Sequence, residues 1–81
     1  MRINVKLFAA LRDRAGTSEI VLELPIGASA SAGMEAVVAR HPAMRDLASR
    51  VAVAINREYA GRDTILHDGD ELALIPPVSG G

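Results

Sequence analysis

The residues best placed to do chemistry in this sequence are its last two, Gly80 and Gly81, with the α-carboxylate that follows them. At average glycine usage a Gly-Gly terminus arises in roughly 0.5% of chains by chance, so the pair asks for a cause. Glycine has no Cβ, and a channel that rejects side chains still admits its backbone. What such a tail delivers is its carboxylate. That group becomes an acyl donor once its oxygen is converted to a leaving group, commonly by ATP-dependent adenylation. The activated carbon then accepts sulfide sulfur to give a thiocarboxylate, or an amine to give an amide, so cargo carrier and protein modifier are the two chemical fates. Pro76 and Pro77, just upstream, fix φ and donate no ladder hydrogen bonds, which ends a strand and favours a stiff stalk. Extended, residues 76–81 reach on the order of 20 Å. The competing reading is a mobile terminus without function, the usual condition of domain ends. The strand signals running up to Pro76 weigh against it.

Other chemistries find little support. The absence of cysteine excludes disulfides, thiolate nucleophiles and cysteine-ligated zinc, so any sulfur handled by the chain is brought to it. His41 and His67 stand far apart in different elements, and no metal is expected. Asp68, Asp70 and Glu71 are explained by a turn, since a calcium loop spreads its ligands over about twelve positions. Ser18, Ser29, Ser31, Ser49 and Ser79 have no histidine at an activating spacing, and no glycine-rich phosphate loop is present. The chain reads as a non-catalytic partner with catalytic groups elsewhere. A net charge of −1 and only two aromatics, Phe8 and Tyr59, argue against nucleic acid. No stretch has the length of a membrane span or the layout of a signal peptide, so a cytoplasmic location with no membrane partner is expected. Lys6 is the sole lysine on which chains of this protein could be built.

Eighty-one residues make one small domain that hides about two thirds of its unfolded surface. Ile3, Val5 and Leu7 alternate with Asn4, Lys6 and Phe8, which predicts a half-buried strand with Phe8 facing away from the core. Residues 9–17 read as an irregular or single-turn connection closed by Gly16. Ile20, Leu22 and Leu24 define a second strand, antiparallel to the first and stopped by Pro25 and Gly27. Ala30, Met34, Val37, Val38 and His41 then recur at helical spacing, with Ser29 or Ser31 as N-cap and Pro42 ending the helix. Gly33, inside that helix, should cost about 1 kcal/mol relative to Ala. Val51, Val53 and Ile55 share one strand face and Ala52 and Ala54 the other. Residues 59–61 read as a turn, residues 64–66 as a short extended piece, and Asp68-Gly69-Asp70 as a tight turn into a last strand with Leu72 and Leu74 inward and Ala73 and Ile75 outward. The order is ββαβ(β)β, an α+β fold with one main helix on one face of a mixed sheet. A β-grasp arrangement pairs the first and last strands in parallel, bringing Phe8, Ala54, Ala73 and Ile75 into an exposed apolar patch at the root of the tail. Such a patch is either a contact site or a scatter of ordinary surface hydrophobes.

At these residues the sequence resembles a known family. Val5-Lys6-Leu7-Phe8-Ala9 with Leu11-Arg12, Ala54-Ile55-Asn56-Arg57-Glu58-Tyr59, Asp68-Gly69-Asp70-Glu71 and Ala73-Leu74-Ile75-Pro76-Pro77-Val78-Ser79-Gly80-Gly81 are similar to the MoaD-like small subunits of molybdopterin synthase. The likeness covers nearly the whole chain, and its terminal Pro-Pro-Val-Ser-Gly-Gly is the most specific part. It implies a ubiquitin-like β-grasp domain over residues 1–75 and an extended tail over 76–81. It also implies that a MoeB-like adenylyltransferase, using ATP and magnesium, activates Gly81, that a sulfur donor system loads it as a thiocarboxylate, and that no cofactor stays bound to the chain. The charged carrier would dock on a MoaE-like large subunit and give its sulfur to cyclic pyranopterin monophosphate, twice per product. Gly81 takes the reacting position, Gly80 and Ser79 give passage, and Phe8, Ala73, Ile75, Pro76, Pro77 and Val78 become docking contacts. Carriers for thiamine or cysteine synthesis and ubiquitin-like modifiers remain as alternatives. Where the family has large aliphatics early in the helix, this chain has Ala30 and Gly33-Met34, which implies a weaker or variant helix.

Overall fold

The computed structural model describes residues 1–77. Val78, Ser79, Gly80 and Gly81, on which part of the expected site falls, lie outside the described residues. Strand β1 (Arg2–Leu7) pairs antiparallel with β2 (Glu19–Glu23), Val5 standing opposite Ile20. It also pairs in parallel with β5 (Glu71–Ile75), Leu7 opposite Leu74. Strand β3 (Ala52–Ile55) runs antiparallel to β5 on its other side and continues into β4 (Glu58–Ala60), giving the order β2-β1-β5-β3-β4. Helix α1 (Ala9–Ala15) joins β1 to β2, α2 (Ala30–Arg40) covers one face of the sheet, and a 3-10 turn (Pro42–Met44) leads into the short α3 (Arg45–Ala48).

The period-2 pattern decides which face is covered. Ile3, Val5, Leu7, Ile20, Leu22, Val53, Leu72 and Leu74 all point toward α2 and are buried, together with Leu11, Met34, Val37, Met44 and Leu66. Ser29 caps α2, its hydroxyl accepting from the Ala32 amide at 3.2 Å, and His41 ends it. The expected strands and main helix are therefore present.

Two expectations are corrected. Residues 9–15 form a seven-residue helix, about two turns, rather than an irregular or single-turn connection. Only Leu11 of that segment is buried, so no apolar stripe announced it; it is held by the Phe8 carbonyl, which accepts from the Leu11 amide at 3.1 Å, and by Gly16, which closes it at φ 76°. Residues 58–60 are strand β4, not a turn. The turn lies just before it, at Asn56 and Arg57, both with positive φ (52° and 70°), as a two-residue hairpin of this twist requires.

The thin helical stripe packs by close approach. A Cβ built on Gly33 would meet the Leu72 Cδ2 at 2.9 Å, and Leu72 is fully buried, so the added carbon must displace a packed side chain. Gly33 thus lets α2 settle onto β5 where a larger residue would hold it off. Gly33→Ala is expected to yield none of the ~1 kcal/mol gain that helix propensity alone promises, and Gly33→Leu to lower stability by about 1–3 kcal/mol. Urea denaturation midpoints of the two variants decide the matter; a clear gain for Gly33→Ala would show that the helix is not seated on Leu72.

Candidate functional site

Residues that alternate with the core set form the other, helix-free face. The strand registers align Glu19, Lys6, Ala73, Ala54 and Tyr59 in one row across all five strands, each opposite the next. The two central members are alanines and the flanking members are long. A row of that shape makes a groove, about 450 Å3 in volume, with Ala54 and Ala73 as its floor and Lys6, Phe8, Arg57, Tyr59, Glu71 and Ile75 as its walls.

The expected contact residues are thereby placed. Phe8 (47% exposed) and the half-buried Ile75 stand together at one end of the groove, where β5 passes into Pro76 and Pro77. Ala54 and Ala73 are only 5% and 7% exposed, so the flat apolar patch anticipated from pattern is instead a concave surface with these two at its bottom. Their small side chains, overtopped by neighbours, account for the difference. Tyr59, at 77% exposure, is the largest wall residue that sequence reasoning missed. The β-rich run on either side of Asn56-Arg57 is a two-residue hairpin spacing that could have revealed it, but Arg in a position that favours glycine obscured the turn. A second groove of about 460 Å3 lies on the helical side between α2 and α3, away from this face and from the last strand.

The hairpin that carries Tyr59 and Arg57 is tied to β5 by polar contacts. The Asn56 amide and carbonyl oxygen are engaged on both sides: its backbone N–H donates to the Glu71 carbonyl at 2.9 Å, and its side-chain oxygen accepts from the Glu71 amide at 3.0 Å. Its side-chain nitrogen donates to the Asp70 carboxylate at 2.9 Å, which also accepts from the His67 amide at 2.8 Å. These donors, the Asn56 amide foremost, hold the Asp70 carboxyl below its ordinary pKa. The neighbouring Asp68 accepts from the Arg2 amide at 2.7 Å, so the acidic turn staples β1 to β5. On the groove's other wall, the Lys6 ammonium pairs with the Glu19 carboxylate across β1 and β2. Among the described residues no group of three metal-ligating side chains converges, and no helix is long and apolar enough to cross a membrane.

A five-stranded mixed sheet with parallel first and last strands, one covering helix and a grooved open face at the end of the last strand defines a ubiquitin-like β-grasp protein. Residues 5–81 match the ThiS family, and the chain belongs to that family. The chain is 40% identical over 83 residues to the molybdopterin synthase sulfur carrier subunit of Chlamydomonas reinhardtii, covering all of both proteins. With the protein of the same description from Arabidopsis thaliana it shares 36% identity over 81 residues, covering all of this chain and 84% of the relative. In three dimensions it is similar to the crystal structure of SAMP1 from Haloferax volcanii, with a TM-score of 0.90, 32% identity and full coverage of both chains.

The Asp70 network carries a pH signature. Because the folded-state pKa is depressed, its stabilisation is complete above the unfolded value near 3.9 and is lost as pH falls through the folded value. Asp70→Asn, whose side-chain oxygen can replace only part of the carboxylate's acceptor capacity, is expected to cost about 1–2 kcal/mol at neutral pH. It should also flatten the acid limb of the stability curve below roughly pH 4, as read from denaturant midpoints at several pH values. An unchanged acid limb would mean that Asp70 does not titrate differently in the two states.

Proposed function

We propose that this protein is the sulfur carrier subunit of a molybdopterin synthase, working in the cytoplasm. The observation that carries the reading is the full-length similarity to proteins of that description, the Chlamydomonas relative above all. The groove at the root of the tail supports it, because a carrier must be held by its body while its end reacts elsewhere.

In this reading a MoeB-like adenylyltransferase uses ATP and magnesium to convert the Gly81 carboxylate to an acyl adenylate, releasing pyrophosphate. Sulfide-level sulfur from a donor system attacks the acyl carbon, the bond to the phosphate oxygen breaks, AMP leaves with the electron pair, and a thiocarboxylate remains. The folded body then docks on the MoaE-like large subunit through Phe8, Ala73, Ile75, Pro76, Pro77 and Val78. Ser79 and Gly80 pass through a narrow channel, and Gly81 gives its sulfur to cyclic pyranopterin monophosphate. Two sulfurs per dithiolene call for two loaded carriers. The catalytic groups of the transfer belong to the large subunit.

Co-expression with the activating enzyme and a sulfur source, followed by intact-mass measurement, is expected to show one oxygen exchanged for sulfur, and no exchange after deletion of Gly81. Mixed with the large subunit and cyclic pyranopterin monophosphate, the loaded protein should yield molybdopterin; a carrier for thiamine or cysteine synthesis would leave the precursor unconverted. A chain that never acquires sulfur beside a competent activating enzyme overturns the proposal.

The groove has its own test. Ala73→Leu places a larger side chain on the floor from the solvent side, and is expected to weaken binding to the large subunit about tenfold or more. The thermal midpoint should change little, since the added atoms point away from the core. Undiminished binding would move the docking surface off this face.

A further inference from the structure

The one lysine of this chain, Lys6, is also its one side-chain amine open to acylation. It projects from β1 on the grooved face, with β2 on one side and β5 on the other. Its ammonium is paired with the Glu19 carboxylate directly across the strand pair, and 34% of the side chain is exposed. Glu71 adds negative potential from β5, opposed by Arg57 from the β3–β4 turn, and burial works against the charge; the hydrogen bond to Glu19 prevails and holds the ammonium above its ordinary pKa. An amine attacks an acyl carbon only as the neutral base with a free lone pair, so the Glu19 and Glu71 carboxylates remove reactive amine, and the hydrogen bond to Glu19 removes the most.

We propose that Glu19 silences Lys6 as an acyl acceptor, so that copies of this protein with an activated carboxyl terminus do not acylate one another. The consequence for the carrier rests on the reading of Gly81 given above. In the reaction held back, Lys6 first gives up a proton and leaves Glu19. Its nitrogen lone pair then forms a C–N bond to the acyl carbon of a neighbouring copy's adenylate, the C–O bond to phosphate breaks, AMP departs with the electron pair, and the second proton passes to solvent. Loss to such an amide would consume the carboxylate that is meant to carry sulfur. Because Lys6 also lines the groove, a partner seated there covers it a second time.

Acetylation by the N-hydroxysuccinimide ester of acetic acid, followed by peptide mass spectrometry, measures this without any activating enzyme, so it succeeds or fails independently of adenylation at Gly81. Arg50→Lys supplies an internal reference, since position 50 is exposed and lies outside the sheet. Lys6 is expected to react about threefold or more slowly than the reference lysine. Glu19→Gln in the same background should close most of that gap, and Glu19→Asp, with a shorter reach, should close part of it. Urea midpoints close to that of the parent would confirm that both variants remain folded. Equal rates at the two lysines, or a gap that survives Glu19→Gln, would overturn the proposal.

Discussion

The parallel pairing of β1 with β5 is the constraint on which the rest of this molecule depends. Fixing Lys6 opposite Ala73 and Leu7 opposite Leu74 joins the two ends of the chain in the middle of the sheet. On one face it completes a core whose central members, Val5, Leu7, Leu72 and Leu74, come from opposite ends of the sequence. On the other face it brings Phe8, at the end of β1, beside Ile75, at the end of β5. A parallel neighbour requires a long crossover, and here the whole of α1, β2, α2, α3, β3 and β4 lies between the two strands. Contacts this distant in sequence are made at a loop-closure entropy cost, so the groove depends on the whole chain between the two strands being folded back on itself.

Alternation made the sheet legible, because burying one face leaves a period of two in the sequence. Ile3, Val5, Leu7 and Leu72, Leu74 could hardly be read otherwise. Residues without such a signature were harder. Helix α1 buries only Leu11, and seven residues are too few for a 3.6-residue repeat to declare itself. The Asn56-Arg57 turn was hidden because Arg57 adopts a left-handed conformation that usually selects glycine. The depth of the groove was invisible for a different reason. Alanine says nothing about exposure, and only the register, which sets Ala73 and Ala54 between Lys6 and Tyr59, shows that both lie at the bottom. Gly33 is the same lesson on the covered face: a residue that looks like a defect in helix propensity marks the place where the helix backbone comes close to the Leu72 side chain.

The open face also departs from what a surface would choose for stability alone. Tyr59 is largely exposed, Phe8 half exposed, and Arg57 holds a strained backbone while its side chain reaches into solvent. Strain and exposed aromatics persist where some other requirement holds them, and on small domains they collect at contact sites. The ion pairs at the rim do little to offset this, since exposed pairs contribute at most about 1 kcal/mol each. What secures the face is the hydrogen-bond network of Asn56, Asp70 and Glu71, which fixes the hairpin to the last strand.

A carrier must also let go. The groove is lined by eight residues, far fewer than the roughly 20–30 a side of a standard stable interface. Buried area converts poorly into affinity, because ordering the partners consumes much of the gain. A rigid, preformed groove lowers that ordering cost, since Ala54 and Ala73 have no rotamers to freeze and their strands are central in the sheet. Specific recognition can then come from a small surface at modest affinity. In the function proposed here that balance is what two successive deliveries demand: the body binds well enough to aim the terminus, and weakly enough that a spent carrier yields its place to a loaded one.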